Sequence, residues 1–167
     1  LTALFTATSA VCVTGLVTVD TADHWSQFGE LVILGLIQVG GFGIMTFASL
    51  LSILLARRLG LTTRLRAVAE TKALGSADLR SVLLGVLATT VVVESLTAVA
   101  LTLRFWTAYD ESFGRAAYLG VFHAVSAFNN AGFALWSDSL TRFATDPWIC
   151  VPIAAAVILG GIGFPVI

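Results

Sequence analysis

Two segments of the chain combine residue types suited to chemistry done by the backbone rather than by side chains. FTATSAVCVTGL, Phe5 to Leu16, aligns without gaps on FHAVSAFNNAGF, Phe122 to Phe133, and five of twelve positions agree: Phe5/Phe122, Ala7/Ala124, Ser9/Ser126, Ala10/Ala127 and Gly15/Gly132. After a three-residue adjustment in the loops, Gly40, Gly41 and Gly43 fall on Gly160, Gly161 and Gly163. Ordered recurrence of both motifs makes duplication a better account than chance likeness between apolar segments. In each copy a polar turn containing glycine interrupts an apolar run, Thr14-Gly15 in the first and Asn129-Asn130-Ala131-Gly132 in the second. Such a turn suits a dehydrating filter, in which backbone carbonyl oxygens replace a cation's water shell and the side chains are free to vary. Gly15 and Gly132 lack a Cβ and permit strained angles and close carbonyl approach, while their neighbours change from Cys12-Val13-Thr14 to Asn129-Asn130-Ala131. The expected ligands are the carbonyls of Val13, Thr14, Asn130 and Ala131, with Cys12, Gly15, Asn129 and Gly132 at the filter's margins. Short helices before the turns would direct their negative C-terminal ends toward the pore, which favours a cation.

The elements that position these turns follow from composition. Of 167 residues only nine are Lys or Arg and ten Asp or Glu, 11% charged, against roughly 25% in soluble domains. With 57% hydrophobic residues and a mean hydropathy of +0.95, a soluble monomer would lack polar side chains to cover its surface. The net charge of -1 excludes the broad basic surface of a nucleic-acid binder. Five stretches lack Asp, Glu, Lys and Arg or nearly so: Leu1 to Val19, Leu31 to Ala56, Ser81 to Leu103, Ala116 to Ser137 and Pro147 to Ile167. As a helix, Leu31 to Ala56 would be ~39 Å long, enough to cross a hydrocarbon core of about 30 Å. Irregular backbone at membrane depth is tolerated where protein surrounds it or it lines a water-filled cavity, so the interrupted stretches read as re-entrant pore loops.

The expected fold is an all-α membrane protein built of repeated helix, re-entrant pore loop, helix units around a pore. Residues 1–56 form a first unit without its leading helix, with a pore loop at 1–16 and a transmembrane helix at about 29–56. Residues 57–80 form a basic linker. Residues 81–167 form a second unit, with a transmembrane helix at about 81–104, a pore helix at about 115–128, the filter at 129–133 and a transmembrane helix at about 147–167. Leu1 is not a Met and both chain ends lie in apolar segments, so an internal piece of a longer protein is expected. Arg57, Arg58, Arg64, Arg66, Lys72 and Arg80 fall between the units, which places the linker in the cytoplasm by the positive-inside rule. With Ala116 to Ser137 dipping in and returning, both units point the same way and both glycine turns face outside.

These motifs together resemble the Trk/Ktr/HKT superfamily of potassium transporters, bacterial Trk/Ktr type, whose subunits carry four consecutive helix, pore-loop, helix units around one pore. The resemblance rests on TSAVCVTGL, IQVGGFGIMTF, the basic linker, FHAVSAFNNAGF and ILGGIGFPVI in that order, and covers essentially the whole chain. It implies potassium uptake across the bacterial plasma membrane by a multi-pass protein, with potassium held at the filter residues named above and no organic cofactor in this subunit. It also implies a homodimer, membrane lipid around it, and a cytosolic nucleotide-binding regulatory subunit of the Trk/Ktr type, for which the basic linker is the docking surface to consider. In the family a Ser at the first filter glycine accompanies sodium permeation in some plant members, so Gly15 implies potassium preference. Cys12 stands where the family more often has Thr; the ligand there is backbone.

Other residues have plainer readings. The GGxG sets suit close helix packing; a nucleotide loop at Gly41-Phe42-Gly43 lacks its third glycine and strand context. Glu94 lies mid-helix in VVVESLTAV, where a carboxylate costs about 2.5–3.5 kcal/mol on insertion scales, so it must find a partner. His123 reads as a packed, hydrogen-bonded imidazole. Asp20, Asp23, Asp110, Glu111, Asp138 and Asp146 are either an outer cation-concentrating vestibule or solvated loop charge, and Trp25, Trp106, Trp136 and Trp148 suit an interfacial belt. Cys12 and Cys150 have no metal-ligand spacing and read as free thiols. An intramembrane enzyme using His123 and Glu94 finds no Ser/His/Asp set or metal-ligand pair. The remaining alternative, a secondary transporter with broken helices around a midplane substrate site, has no charged residue beside the turns to hold a substrate.

Overall fold

A computed structural model describes residues 1–58 and 76–162. Arg64, Arg66 and Lys72 of the basic segment, Gly163, and the last residues of the Pro147 to Ile167 stretch lie outside the described residues. Every regular element among the described residues is helical: α1 (Thr2–Val11), α2 (Thr21–His24), α3 (Gln27–Arg58), α4 (Ser76–Ala108), α5 (Phe113–Phe128), a 3₁₀ turn (Thr141–Phe143) and α6 (Pro147–Ile162).

Helix starts are set by side chains that satisfy free N–H groups. Asp20 accepts from the N–H of Ala22 at 2.9 Å, Ser26 and Ser112 accept from Gly29 and Arg115 at 3.4 Å each, and Asp146 accepts from Trp148 at 3.0 Å. Pro147 then occupies the first position of α6, where its missing N–H would have no helical partner.

Helix length separates two roles. Gln27–Ala48 and Leu83–Ala108 each contain an 18-residue stretch, of mean hydropathy 2.0 and 1.9 respectively, and are long enough to cross a membrane. Many of their large apolar side chains point outward: Val39, Ile44 and Phe47 on α3, and Leu87, Val91 and Leu96 on α4, are exposed, while Ile37 and Leu101 face the core. Helix α5 is the reverse. Its 16 residues reach only ~24 Å, yet every residue from Phe122 to Asn129 is buried. It packs against α4 most extensively and also against α6 and α3, while α1 packs on α3. Helices α4 and α5 approach closely at Gly120, where a Cβ would meet Thr102 Oγ1 at 2.4 Å and the Ala98 carbonyl oxygen at 2.8 Å. A short helix is thus packed among α3, α4 and α6, with its C-terminal end inside.

Candidate functional site

Helices α1 and α5 end in the same way, atom for atom. Beyond α1, the N–H groups of Cys12, Val13 and Thr14 donate to the carbonyls of Thr8, Ala10 and Ser9 at 2.9, 3.2 and 3.0 Å. Beyond α5, those of Asn129, Asn130 and Ala131 donate to Val125, Ala127 and Ser126 at 3.1, 3.0 and 2.8 Å. Each second-set residue lies 117 positions after its counterpart. The last two bonds of each set form a Schellman ending, which requires a left-handed residue; Val13 (φ 47°) and Asn130 (φ 57°) supply it. Asn tolerates that conformation, whereas for β-branched Val it is a true outlier, on the scale of roughly 1–2 kcal/mol. Gly15 and Gly132 follow at φ 71° and 76°.

The two turns meet. A Cβ on Gly15 would stand 2.6 Å from the Ala131 carbonyl oxygen and 3.3 Å from Gly132 Cα, and one on Gly132 would stand 3.5 Å from Gly15 Cα. The C-terminal ends of α1 and α5, with their partial negative charge, are therefore brought together. Cys12, Thr14, Asn130 and Gly132 are exposed, Val13 and Gly15 half-buried, Asn129 and Ala131 buried. Hydroxyls latch both turns to their helices: Ser9 Oγ lies 2.9 Å from Thr14 Oγ1, and Ser126 Oγ donates to the Phe133 carbonyl at 2.7 Å. Among the described residues no group of three His, Cys, Asp or Glu side chains is placed to hold a metal ion. The turns can offer a cation backbone oxygens.

Glycines of α3 and α6 back the turns. A Cβ on Gly40 would stand 1.9 Å from the Val11 carbonyl oxygen, and one on Gly160 would stand 1.7 Å from that of Phe128; Val11 and Phe128 are the last residues of α1 and α5. Gly41 is held against the other turn, its Cβ position lying 1.8 Å from Asn129 Oδ1. Packing does not extend to every glycine of the motif, since Gly43 has open space around it and a Cβ on Gly161 would find its nearest neighbour, Asn130 Nδ2, at 3.9 Å.

Glu94 has its partners: its carboxylate accepts from Gln38 Nε2 at 3.3 Å and from Asn129 Nδ2 at 3.0 Å. Gln38 was not singled out by sequence reasoning, although a lone amide in the uncharged stretch Leu31 to Ala56 was the available signal. His123 is buried; Nδ1 lies 2.7 Å from the Leu119 carbonyl and Nε2 accepts from the Leu135 N–H at 3.3 Å. This assigns the proton to Nδ1. Trp136 stacks on the His123 ring at 4.5 Å and meets Phe105 and Phe143, so it turns inward, while Trp106 and Trp148 are exposed. Cys12 and Cys150 are free thiols.

The loop acids divide. Asp146 Oδ2 accepts from Arg104 Nε at 2.8 Å and from the Tyr109 hydroxyl at 2.9 Å; the Arg104 hydrogen bond holds Asp146 below the usual carboxylate range. Arg142 pairs with Asp138 at 2.8 Å and likewise lowers it. Asp20 is a helix cap. Asp23, Asp110 and Glu111 make no ion pair among the described residues.

The family model described as TrkH, cation transport protein, matches residues 1–167. The chain is 44% identical over 168 residues to Ktr system potassium uptake protein B of Bacillus subtilis (strain 168), covering 99% of this chain and 37% of that protein. It is 40% identical over 168 residues to Ktr system potassium uptake protein B of Vibrio alginolyticus, covering 99% and 36%. It is 37% identical over 165 residues to potassium/sodium uptake protein NtpJ of Enterococcus hirae, covering 97% and 36%. The chain thus spans little more than a third of the length of these relatives.

Proposed function

The chain belongs to the TrkH family of cation transport proteins, and from that premise we propose that it supplies two adjoining pore-loop units of a potassium uptake pore in a bacterial plasma membrane. The observation that carries this reading is the meeting of two turns of identical backbone form at Gly15 and Gly132. In it, the carbonyls of Val13, Thr14, Asn130 and Ala131 are the ion ligands, with Cys12, Gly15, Asn129 and Gly132 shaping the filter's margins. The ends of α1 and α5 contribute a fixed negative potential beside it.

The same reading makes α1 and α5 re-entrant and α3, α4 and α6 the walls, with both units pointing the same way and their glycine turns outside. Residues 57–80 then face the cytoplasm, where their basic residues are available to a regulatory nucleotide-binding subunit or to anionic lipid. The relatives' names, Ktr system potassium uptake protein, support both the ion and a multi-subunit system. A homodimer in the bilayer completes the proposal.

Expression of the full-length protein in a bacterium lacking its own potassium systems tests it. Growth at limiting potassium, with uptake that saturates with potassium and is several-fold weaker for sodium, is the expected result. Correct membrane insertion without potassium uptake would overturn the reading.

A further inference from the structure

Two members of one polar cluster depart from the repeat. Gln38 of α3 would pair with Ile158 of α6 on the register that sets Gly40 on Gly160, and Asn129 pairs with Cys12. The amide pair therefore departs from the repeat, and a carboxylate joins it behind the second turn. Glu94 comes from α4, so three separate segments contribute one side chain each.

The hydrogen bonds are unevenly divided. Asn129 Nδ2 has two hydrogens and three acceptors: Val125 carbonyl at 2.9 Å, Glu94 Oε1 at 3.0 Å and Gln38 Oε1 at 3.2 Å. Asn129 Oδ1 is buried without a hydrogen-bond partner and lies against Gly41. Exchanging the amide's ends would set its oxygen against all three acceptors, so Glu94, Gln38 and Val125 together dictate one orientation. Gln38 in turn donates Nε2 to Glu94 Oε2 at 3.3 Å, closing the ring. Helix packing alone would be served by apolar side chains, and a mid-helix carboxylate is costly. What the cluster specifies is the orientation of the residue at which α5 ends and the second turn begins.

We infer that Glu94 is a positioning residue for ion discrimination, acting through Gln38 and Asn129 to hold the Asn129–Gly132 turn in register with the Gly15 turn. This inference rests on the proposed filter. Outer-shell partners of a coordinated ion commonly change affinity about tenfold when removed.

The test uses the full-length transporter in potassium-uptake-deficient bacteria, with potassium and sodium uptake measured against concentration and normalised to membrane protein. Glu94→Ala and Gln38→Leu should each lower the potassium-to-sodium preference by about tenfold, and the double variant should be no worse than Glu94→Ala alone. Glu94→Gln keeps an oxygen for Asn129 Nδ2 and should restore most of the preference; a loss equal to that of Glu94→Ala would overturn the inference. So would a proportional fall in uptake of both ions at unchanged preference, the result expected of a merely structural group. Should Glu94→Ala fail to reach the membrane, an unchanged preference in Gln38→Leu would overturn it equally. Gly132→Ser separates the two readings: if it abolishes discrimination while the Glu94 and Gln38 variants keep it, this inference falls alone. If it too keeps discrimination, the filter reading falls and takes this one with it.

Discussion

Gly160 lies so close to Phe128 that a Cβ on it would stand 1.7 Å from the Phe128 carbonyl oxygen, and Gly40 stands in the same relation to Val11 at 1.9 Å. Each contact sets a glycine of one helix against the last carbonyl of another, at the point where the chain leaves that second helix for its glycine turn.

Gly40→Ala and Gly160→Ala must therefore move a helix backbone, at a cost of about 1–3 kcal/mol or more for an overpacked site. Gly43→Ala meets nothing within 4 Å and, lying in a helix, should be neutral or slightly stabilising. Thermal stability of the detergent-solubilised full-length protein should rank Gly43→Ala with the wild type and the other two well below it. Equal loss in all three would contradict the packing account.

The filter reading predicts an asymmetry between its two glycines. Both have positive φ, so a side chain at either costs roughly 1–2 kcal/mol in backbone strain. At Gly15 a Cβ also collides with the Ala131 carbonyl oxygen at 2.6 Å, whereas at Gly132 the nearest atom is at an ordinary 3.5 Å. Gly15→Ser should lower the potassium-to-sodium preference more than Gly132→Ser does. The reverse order in ion uptake assays would show that steric displacement of Ala131 is not what matters.

His123 bonds through both ring nitrogens to backbone groups. His123→Phe leaves the Leu119 carbonyl and the Leu135 N–H without that partner, at about 1–3 kcal/mol for an unsatisfied buried group. Lower thermal stability is expected, while the pH profile of uptake between about pH 5 and 8 keeps its shape. A variant of normal stability whose profile flattens would instead assign His123 to proton coupling.

Asp146 ties the start of α6 to Arg104 and Tyr109. Its folded-state pKa is depressed by the Arg104 hydrogen bond, so its contribution is fully present above the unfolded value of about 3.9 and is lost as pH falls through the lower folded value. Asp146→Asn should lower the melting temperature near neutral pH, and the gap from wild type should close on acidification below about pH 4. A gap that persists unchanged in acid would mean that the carboxylate's charge is not the source of its effect.

Much was legible in the sequence because membrane burial writes itself into composition. Long apolar runs leave the backbone little choice but helix, and the near-absence of charge along Leu31 to Ala56 and Ser81 to Leu103 marked the two long apolar helices. The internal repeat exposed the two turns as equivalent, since a left-handed backbone favours a residue without a Cβ and Gly15 and Gly132 recur in register. The order of five motifs was enough to point to the family. An isolated carboxylate at Glu94 announced a partner without naming it.

Tertiary structure alone decided which groups meet. Nothing in the spacing tells that Gly15 abuts Gly132, that Gly41 faces Asn129 while Gly43 faces open space, or that Trp136 turns in to stack on His123. Nor does it join Gln38, Glu94 and Asn129, which come from three segments and of which the two amides depart from the repeat instead of following it. The physical reason is that hydropathy and local backbone preference depend on each residue and its near neighbours, whereas contacts between helices depend on their rotation and relative height. Those are set by the few places where a missing Cβ lets one backbone touch another.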